Sequence, residues 1–404
     1  MLATGPPTRA TGAGVARFGD GLARDADVVR AAERAVAQAV APLAGARPDL
    51  ICVFVGGDQP EDAGQVAERV RVLCPSATVL GCSASGVIGA GRGVEDERAV
   101  SVWAASLPGV RVRGFHLEVM RSPDGMAVVG MPEPRPDDAA TILLADPYSF
   151  PVDGFVEQAN DLIGNVPMVG GMASGARGPG STRLLLDDRV ADRGAVGVVL
   201  EGPVTVRALV SQGCRPIGPT MVVTRSDGNA ILELAGTNAL ERLEQIVAAL
   251  DPEDQALVSA GLQFGVAMDE YADEHERGAF LIRSVLGVDR DRKAVLVGDL
   301  VPVGRTVRFQ VRDAETAADD LDQMLKAFRQ ECGLASIEGV LLVSCSGRGS
   351  RLFNSAGHDV GAVRRALETT AVAGFFATGE IGPVAGRNHL HGFSAAVLAF
   401  GEPR

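Results

Sequence analysis

The sequence has 404 residues, enough for two or three domains with sizeable cores. Its formal net charge is −13, and aromatic residues make up 4% of the chain. An acidic surface disfavours non-specific binding to nucleic acids and anionic membranes, and few aromatic rings are available to stack on bases.

The N-terminal stretch is predicted to be a flexible tail over residues 1–22. It lacks the apolar region of a signal peptide, so none is expected. No apolar run approaches the roughly 18 residues of a membrane helix. Six cysteines without C-x-x-C spacing indicate neither a zinc site nor a disulfide framework. We therefore expect a cytoplasmic protein with free thiols, no bound metal and no cofactor.

The first half of the chain alternates predicted strands and helices. Apolar residues at helical spacing mark the helices, and short apolar runs ending in glycine mark buried strands. In chain order these are a helix at 28–43, a strand at 50–57, a helix at 61–75, strands at 77–86, 97–107 and 141–150, a helix at 152–165, and strands at 166–175 and 194–202.

The second half begins with different material. Strands joined by Gly, Pro and Asp-Gly-Asn turns are predicted over 204–236 and an antiparallel meander over 280–313, with helices at 237–250 and 314–333. The earlier order then returns, with strands at 339–349, 371–382 and 391–400 and a helix at 359–370.

A repeated glycine motif connects these segments. G-x-x-A-[ST]-G begins at Gly81, Gly170 and Gly374, each time where a buried strand enters a loop that leads to another strand. Chance predicts on the order of 0.1 such matches in a chain of this composition. The sequence thus contains three strand–helix–strand–loop–strand repeats, too irregularly spaced for a solenoid.

The predicted fold is mixed α/β (α+β), with two related domains whose mixed sheets are flanked by helices. We expect the first domain to cover residues 23–225 and the second 226–404.

The glycine loops are the predicted ligand site. Crevices beyond the carboxyl ends of parallel strands commonly bind ligands, and glycine lets backbone N–H groups approach them. A strand follows each loop, which excludes a dinucleotide or phosphate loop that opens a helix. The expected ligand-binding residues are Ser83, Ser85, Gly86, Asp146, Ser174, Gly175, Ser346, Arg348, Gly349, Thr378, Gly379 and Glu380. Tight structural turns are the alternative explanation for these glycines.

The third repeat carries most of the reactive side chains. Arg348, between two glycines, is suited to hold a carboxylate in a two-pronged contact, and Glu380 to meet a ligand ammonium. Cys345, His389 or His391, and Glu380 have the composition of a thiol nucleophile, its base and the residue that orients the base. A buried cysteine acting as a small apolar residue is the competing interpretation.

Taken together, these segments resemble the FIST family, with its FIST N and FIST C domains. The resemblance rests on LGCSASGVIG, ADPYSF, VGGMASG, SQGCRPIGP, LLVSCSGRGSRLF and GFFATGEIGPVAGRNHLHGFSAAVLAF, in that order, over about residues 30–400. It implies an intracellular sensory or signalling protein whose domains bind small molecules, such as amino acids or their derivatives, and it supplies no catalytic residue.

Three functions follow from this sequence. The first is a small-ligand sensor, for an amino acid or small carboxylate, whose output passes through a signalling partner because no output module is recognisable. A Cys345-dependent thiol hydrolase or transferase is the second, and a protein-interaction scaffold without a small ligand is the third. The sequence does not indicate the oligomeric state.

Overall fold

The computed structural model describes residues 14–122, 125–270, 272 and 279–404. It is a mixed α+β structure, as the sequence predicted. Among the described residues, no helix combines the length and apolar character needed to cross a lipid bilayer. Of the predicted tail, residues 1–13 lie outside the described part, whereas residues 17–22 belong to a strand.

The helices of the described chain mostly present one apolar face to a sheet. They are α1 (Val28–Val40), α2 (Glu61–Leu73), α3 (Val152–Ile163), α4 (Ala239–Ala249), α5 (Pro252–Gly261), α6 (Ala314–Glu331), α7 (Gly349–Phe353) and α8 (His358–Leu367).

The strands carry most of the buried apolar side chains. They are β1 (Arg17–Arg24), β2 (Leu50–Gly56), β3 (Thr78–Ala84), β4 (Gly86–Gly89), β5 (Arg92–Glu95), β6 (Ala99–Ser106), β7 (Arg111–Ser122), β8 (Gly125–Val129), β9 (Asp138–Ala145), β10 (Met168–Met172), β11 (Leu184–Leu186), β12 (Arg189–Ala191), β13 (Ala195–Glu201), β14 (Val206–Gln212), β15 (Cys214–Pro216), β16 (Met221–Asp227), β17 (Ala230–Leu234), β18 (Thr237–Asn238), β19 (Leu262–Ala267), β20 (Phe280–Asp289), β21 (Ala294–Val297), β22 (Thr306–Arg312), β23 (Leu334–Cys345), β24 (Val372–Ala377), β25 (Glu380–Val384), β26 (Arg387–His391) and β27 (Ser394–Pro403).

The chain forms two compact units that are not consecutive in sequence. Unit 2 comprises residues 211–321 and 391–393, and unit 1 comprises the described residues before, between and after these segments. This division differs from the expected boundary at 225/226. The reason is that the third repeat pairs its strands with those of the first two, so all three repeats belong to unit 1.

Unit 1 contains three sheets with one common strand order. The first sheet is β1-β6-β2-β3-β11-β12, the second is β8-β7-β13-β9-β10-β25-β26, and the third is β14-β27-β23-β24-β4-β5. In each sheet two parallel strands from one repeat form the centre: β2 with β3, β9 with β10, and β23 with β24. The last strand of the same repeat lies antiparallel beside them.

The repeats exchange strands in a cycle. After its glycine loop, the first repeat sends β4 to pair with β24 of the third sheet. The second repeat sends β11 to pair with β3 of the first sheet, and the third sends β25 to pair with β10 of the second. Each sheet is therefore completed by a strand from another repeat, and the three glycine loops are the crossing points between sheets.

Close backbone packing explains the first glycine of each motif. A Cβ atom at Gly81, Gly170 or Gly374 would lie 2.0 Å or less from a carbonyl oxygen of the parallel neighbouring strand. No real Cβ contact is that short, so glycine is the residue that fits at all three positions.

An aromatic cluster fills part of the core of unit 1. The rings of Phe18, Trp103 and Phe400 lie with their centroids 5.0–5.4 Å apart, which joins the first and third sheets. The opposite face of the first sheet packs against α1 and α2 through small and β-branched side chains. Burial of these apolar faces is the main favourable contribution to the stability of the sheets.

Unit 2 is built around a closed ring of six antiparallel strands, in the order β16-β17-β21-β20-β19-β22. The inner side chains of this ring, among them Phe264 and Phe309, pack against α4. The predicted meander and the helix at 237–250 both lie within this unit.

Candidate functional site

The hydroxyl residues of the three glycine motifs meet at one place in unit 1. The backbone N–H of Ser85 donates to Ser174 Oγ at 2.9 Å, and the two serine Oγ atoms lie 3.1 Å apart. Ser174 Oγ also donates to the carbonyl of Phe376. Thr378 Oγ1 donates to the carbonyl of Ala173 at 3.3 Å. We call Ser85, Ser174, Thr378 and the glycines that follow them the corner cluster.

Backbone contacts hold the corner cluster together. Met172 N–H donates to Gly379 O at 2.8 Å, and Thr378 N–H donates to Met172 O at 3.1 Å. A Cβ atom on Gly175 would lie 2.9 Å from the nitrogen of Ser85. The cluster is therefore a close-packed junction with a solvent-facing side, since Thr378 and Gly175 are exposed and Ser85 is half-buried.

Arg348 binds a carboxylate of the protein itself and is fully buried. Its Nε and Nη2 atoms donate to Asp359 Oδ2 and Oδ1 at 2.7 and 3.0 Å. Ser344 Oγ donates to Asp359 Oδ2 at 2.6 Å, and His358 Nδ1 lies 3.0 Å from Oδ1. The expectation that Arg348 holds a ligand carboxylate is thus corrected, because its fork is already occupied and shielded from solvent.

Asp359 is the matching acid of this pair. Burial alone would raise its pKa, but the positive charge of Arg348 and the hydrogen bonds from His358, Arg348 and Ser344 outweigh that effect and hold the pKa below its usual range. The pair ties the loop after β23 to the first turn of α8.

Glu380, expected to meet a ligand ammonium, is also fully buried. Its Oε2 accepts hydrogen bonds from the N–H and hydroxyl of Ser394, at 3.1 and 2.8 Å. Burial raises the pKa of Glu380 to about 8, although hydrogen bonds from Ser394 and Cys345 and the charge of Arg348 act in the opposite direction. This carboxyl can reach a surface ligand only if the structure around it opens.

The thiol hypothesis combines Cys345 with Glu380 and one of two histidines. Cys345 is 6% exposed at the end of β23 and contacts Glu380, and its sulfur accepts the N–H of Gly347 at 3.4 Å. His389 is half-buried on β26, and His391 belongs to unit 2. The thiol therefore contacts an acid, and its burial limits the access of a substrate to it.

Asp146 is fully buried directly after β9. Its position in the second repeat is equivalent to that of Cys345 in the third repeat. Its Oδ2 accepts the hydroxyl of Ser149 at 2.6 Å and the N–H of Tyr148 at 3.2 Å, while Oδ1 has no hydrogen-bond partner among the described residues. This side chain fixes the turn after β9.

Other expected ligand residues make structural contacts. Ser83 Oγ accepts the N–H of Arg183 at 3.0 Å, within the pairing of β3 and β11. A Cβ atom on Gly349 would lie 2.5 Å from the carboxylate of Glu95, which accepts the N–H of Ser350. Gly86 begins β4, and Ser346 is half-buried beside the corner of the third repeat, with its N–H bonded to Ala377 O at 2.7 Å.

Sequence reasoning missed the polar partners that come from distant positions. The sequence did not indicate that Asp359 pairs with Arg348, or that Ser344 and Ser394 contact Asp359 and Glu380. Asn160 and Asn388 form a further buried pair, with Asn388 N–H donating to Asn160 Oδ1 at 2.8 Å and Asn388 Oδ1 accepting Met168 N–H at 2.8 Å. An asparagine in an apolar helix face was the available signal for this pair.

Three cavities of unit 1, of about 190, 390 and 540 Å³, lie away from the corner cluster. In the part of the chain that the structure describes, no group of three His, Cys, Asp or Glu side chains is arranged to hold a metal ion. All six cysteines are buried and free of disulfides.

Comparison with known families gives two consecutive matches. Residues 49–237 match the model described as the FIST N domain, and residues 239–383 match the model described as the FIST C domain. FIST domains are associated with sensory signal transduction and with binding of small ligands.

Similar full-length proteins occur in mycobacteria. An uncharacterized protein of Mycobacterium tuberculosis is 41% identical over 384 residues, which covers 95% of this chain and 99% of the relative. An uncharacterized protein of Mycobacterium bovis is 40% identical over 385 residues, covering 95% and 98%.

The solved structures that align are distant. A cyanuric acid hydrolase from A. caulinodans aligns with a TM-score of 0.31 and 10% identity, over 96% of this chain and all of that one. PurLQS from Thermotoga maritima aligns with a TM-score of 0.23 and 13% identity, over 96% of this chain and 73% of that one. These scores are too low to transfer an activity.

Proposed function

Because this chain belongs to the FIST family, we propose that it is a sensory protein that binds an amino acid or a small carboxylate at the corner cluster. The observation that carries this proposal is the meeting of three glycine motifs from three repeats at one solvent-facing junction. A ligand there would contact three sheets at once. We further propose that the response passes to a signalling partner in the cytoplasm.

The polar groups that support binding are the hydroxyls on the solvent side of the cluster. Thr378 is exposed, and Ser85 and Ser346 are half-buried. Each hydroxyl can both donate and accept, so the cluster can bind either end of a small polar ligand. Arg348 and Glu380 lie beneath this surface, where they hold the third corner in place and do not meet the ligand.

A thermal-shift screen of the 20 amino acids and a set of small carboxylates tests the proposal. A ligand that binds only the folded protein stabilises it by RT ln(1 + [L]/Kd), so its melting temperature rises with the logarithm of the ligand concentration once that exceeds Kd. The binding variant is Thr378→Val, which removes an exposed hydroxyl while keeping the branched shape of the side chain.

Thr370→Val is the matched control. Thr370 is also exposed, but it precedes β24, whereas Thr378 follows it, so the two residues flank opposite ends of one strand. We expect Thr378→Val to weaken the ligand-induced shift and Thr370→Val to preserve it. No shift with any compound in a folded sample, or an equal loss in both variants, would contradict the proposal.

A further inference from the structure

The second repeat departs from the common pattern directly after its corner. In the first and third repeats a strand begins at once, with β4 at Gly86 and β25 at Glu380. In the second repeat residues 176–183 intervene between Gly175 and β11. This extra loop lies against the first repeat, because Gly175 contacts Ser85.

Hydrogen bonds fix the course of the extra loop. Ser181 Oγ accepts the N–H groups of Arg177 and Gly178 at 3.0 and 3.2 Å. The hydroxyl of Tyr148 donates to the carbonyl of Ala176 at 3.2 Å. The backbone next to Arg177 is thereby held in place, while the Arg177 side chain remains 80% exposed.

Arg177 faces an acid from the first repeat. Its Nη2 lies 3.2 Å from Asp58 Oδ2, and the Asp58 side chain is 68% exposed. Asp58 follows the end of β2, where Gly56 pairs in parallel register with Ala84, so it lies next to the corner of Ser85. One exposed cation and one exposed anion thus lie side by side, at positions that closely follow the second corner and the end of β2.

An exposed ion pair of this kind contributes little to stability, because water competes for both charges. A ligand with a carboxylate and an ammonium close together can therefore replace the contact between the two side chains. Its carboxylate would meet the guanidinium fork of Arg177, and its ammonium would meet the carboxylate of Asp58. Ser85 and Thr378, whose hydroxyls can both donate and accept, belong to the same corner cluster.

We propose that Asp58 and Arg177 form the subsite for the charged head of a free α-amino acid, with Arg177 binding the carboxylate and Asp58 the ammonium. This inference rests on the proposed function and selects the amino acid over the simple carboxylate. It also supplies the charged contacts that the buried Arg348 and Glu380 do not provide.

Equilibrium dialysis with an isotope-labelled mixture of the 20 amino acids tests this subsite. The variants are Arg177→Ala, Asp58→Ala and Arg177→Lys, which keeps the charge but not the fork. The control is Arg193→Ala, since Arg193 is another exposed arginine, paired with Asp192 at 3.1 Å. We expect a loss of affinity of about tenfold or more for both alanine variants, a smaller loss for the lysine variant and no loss for the control.

The dialysis and the thermal screen together distinguish a failure of the subsite from a failure of the proposed function. Unchanged affinity in Arg177→Ala, or an equal loss in Arg193→Ala, overturns the subsite. Binding of small carboxylates in the thermal screen without binding of any amino acid overturns the subsite and leaves the proposed function standing. If neither class binds the wild-type protein, both proposals fail.

Discussion

The buried carboxyl of Glu380 makes the stability of unit 1 depend on pH. The pKa of Glu380 is about 8 in the folded protein, whereas the ordinary value of 4.5 applies to the unfolded chain. The folded protein therefore binds more protons at this site between those two values. The contribution of Glu380 to the free energy of unfolding is therefore fully present below pH 4.5. It decreases as the pH rises and is lost once the pH passes 8.

Substitution of Glu380 by Gln removes this titration but keeps the shape and an oxygen that accepts from Ser394. Each pH unit between the two pKa values corresponds to about 1.4 kcal/mol. From pH 4.5 to pH 7 the free energy of unfolding of Glu380→Gln should thus rise by about 3 kcal/mol relative to that of the wild type. The other ionisable groups titrate alike in both proteins and cancel in this difference.

The measurement is denaturant unfolding at pH 4.5, 5.5, 6.5 and 7.5, followed by tryptophan fluorescence. Trp103 is the single tryptophan of the chain, and it is fully buried in unit 1, the unit that contains Glu380. The signal therefore reports the unfolding of the relevant unit even if the two units unfold separately. A difference between the two proteins that stays constant with pH would refute the argument that Glu380 is desolvated.

Three further substitutions test the contacts that hold the corners. Arg348→Ala should lower the free energy of unfolding by about 3–5 kcal/mol, because it leaves Asp359 as an unpaired buried charge; denaturant unfolding measures this, and a loss below about 1 kcal/mol would contradict it. Asn388→Ala should cost about 2–3 kcal/mol in the same assay, since it leaves buried polar groups unsatisfied, and a neutral result would show that water satisfies them. Gly374→Ala should lower the free energy of unfolding by more than about 2 kcal/mol through overpacking. Its control is Gly154→Ala, on an exposed part of α3 with open space around it, which should raise the free energy of unfolding by about 0.5–1 kcal/mol. Equal effects of the two substitutions on the melting temperature would contradict this explanation.

The alternation of strands and helices was predictable because it depends on local patterns. Apolar runs at 50–57 and 141–150 became β2 and β9, and the amphipathic stretches between strands became α2 and α3. The glycine motif was also visible in the sequence. Its physical cause was not, because the carbonyl that excludes a side chain at Gly374 belongs to Leu342, 32 residues away.

The roles of charged residues were less predictable, because burial and pairing depend on tertiary structure. Arg348 between two glycines has the same local sequence whether it faces solvent or Asp359. Glu380 begins β25, and its environment is set by Ser394 and Cys345, which lie on other strands. Arg177, unlike these two residues, is exposed, in a glycine-rich loop. Its pairing with Asp58 was not predictable either, because it depends on the register of β2 with β3.

The exchange of strands also explains why the two compact units of the structure do not divide at residues 225/226. A chain that ended there would keep β4 and β10 but lose their partners β24 and β25. Two sheet edges would then be exposed, and an unpaired edge tends to pair with other chains. The corner cluster needs residues from all three repeats, so it forms only when the strands of the third repeat are paired with those of the first two. A ligand bound at the cluster would consequently stabilise the pairing of all three sheets, which gives a sensor a direct connection between binding and the integrity of the whole unit.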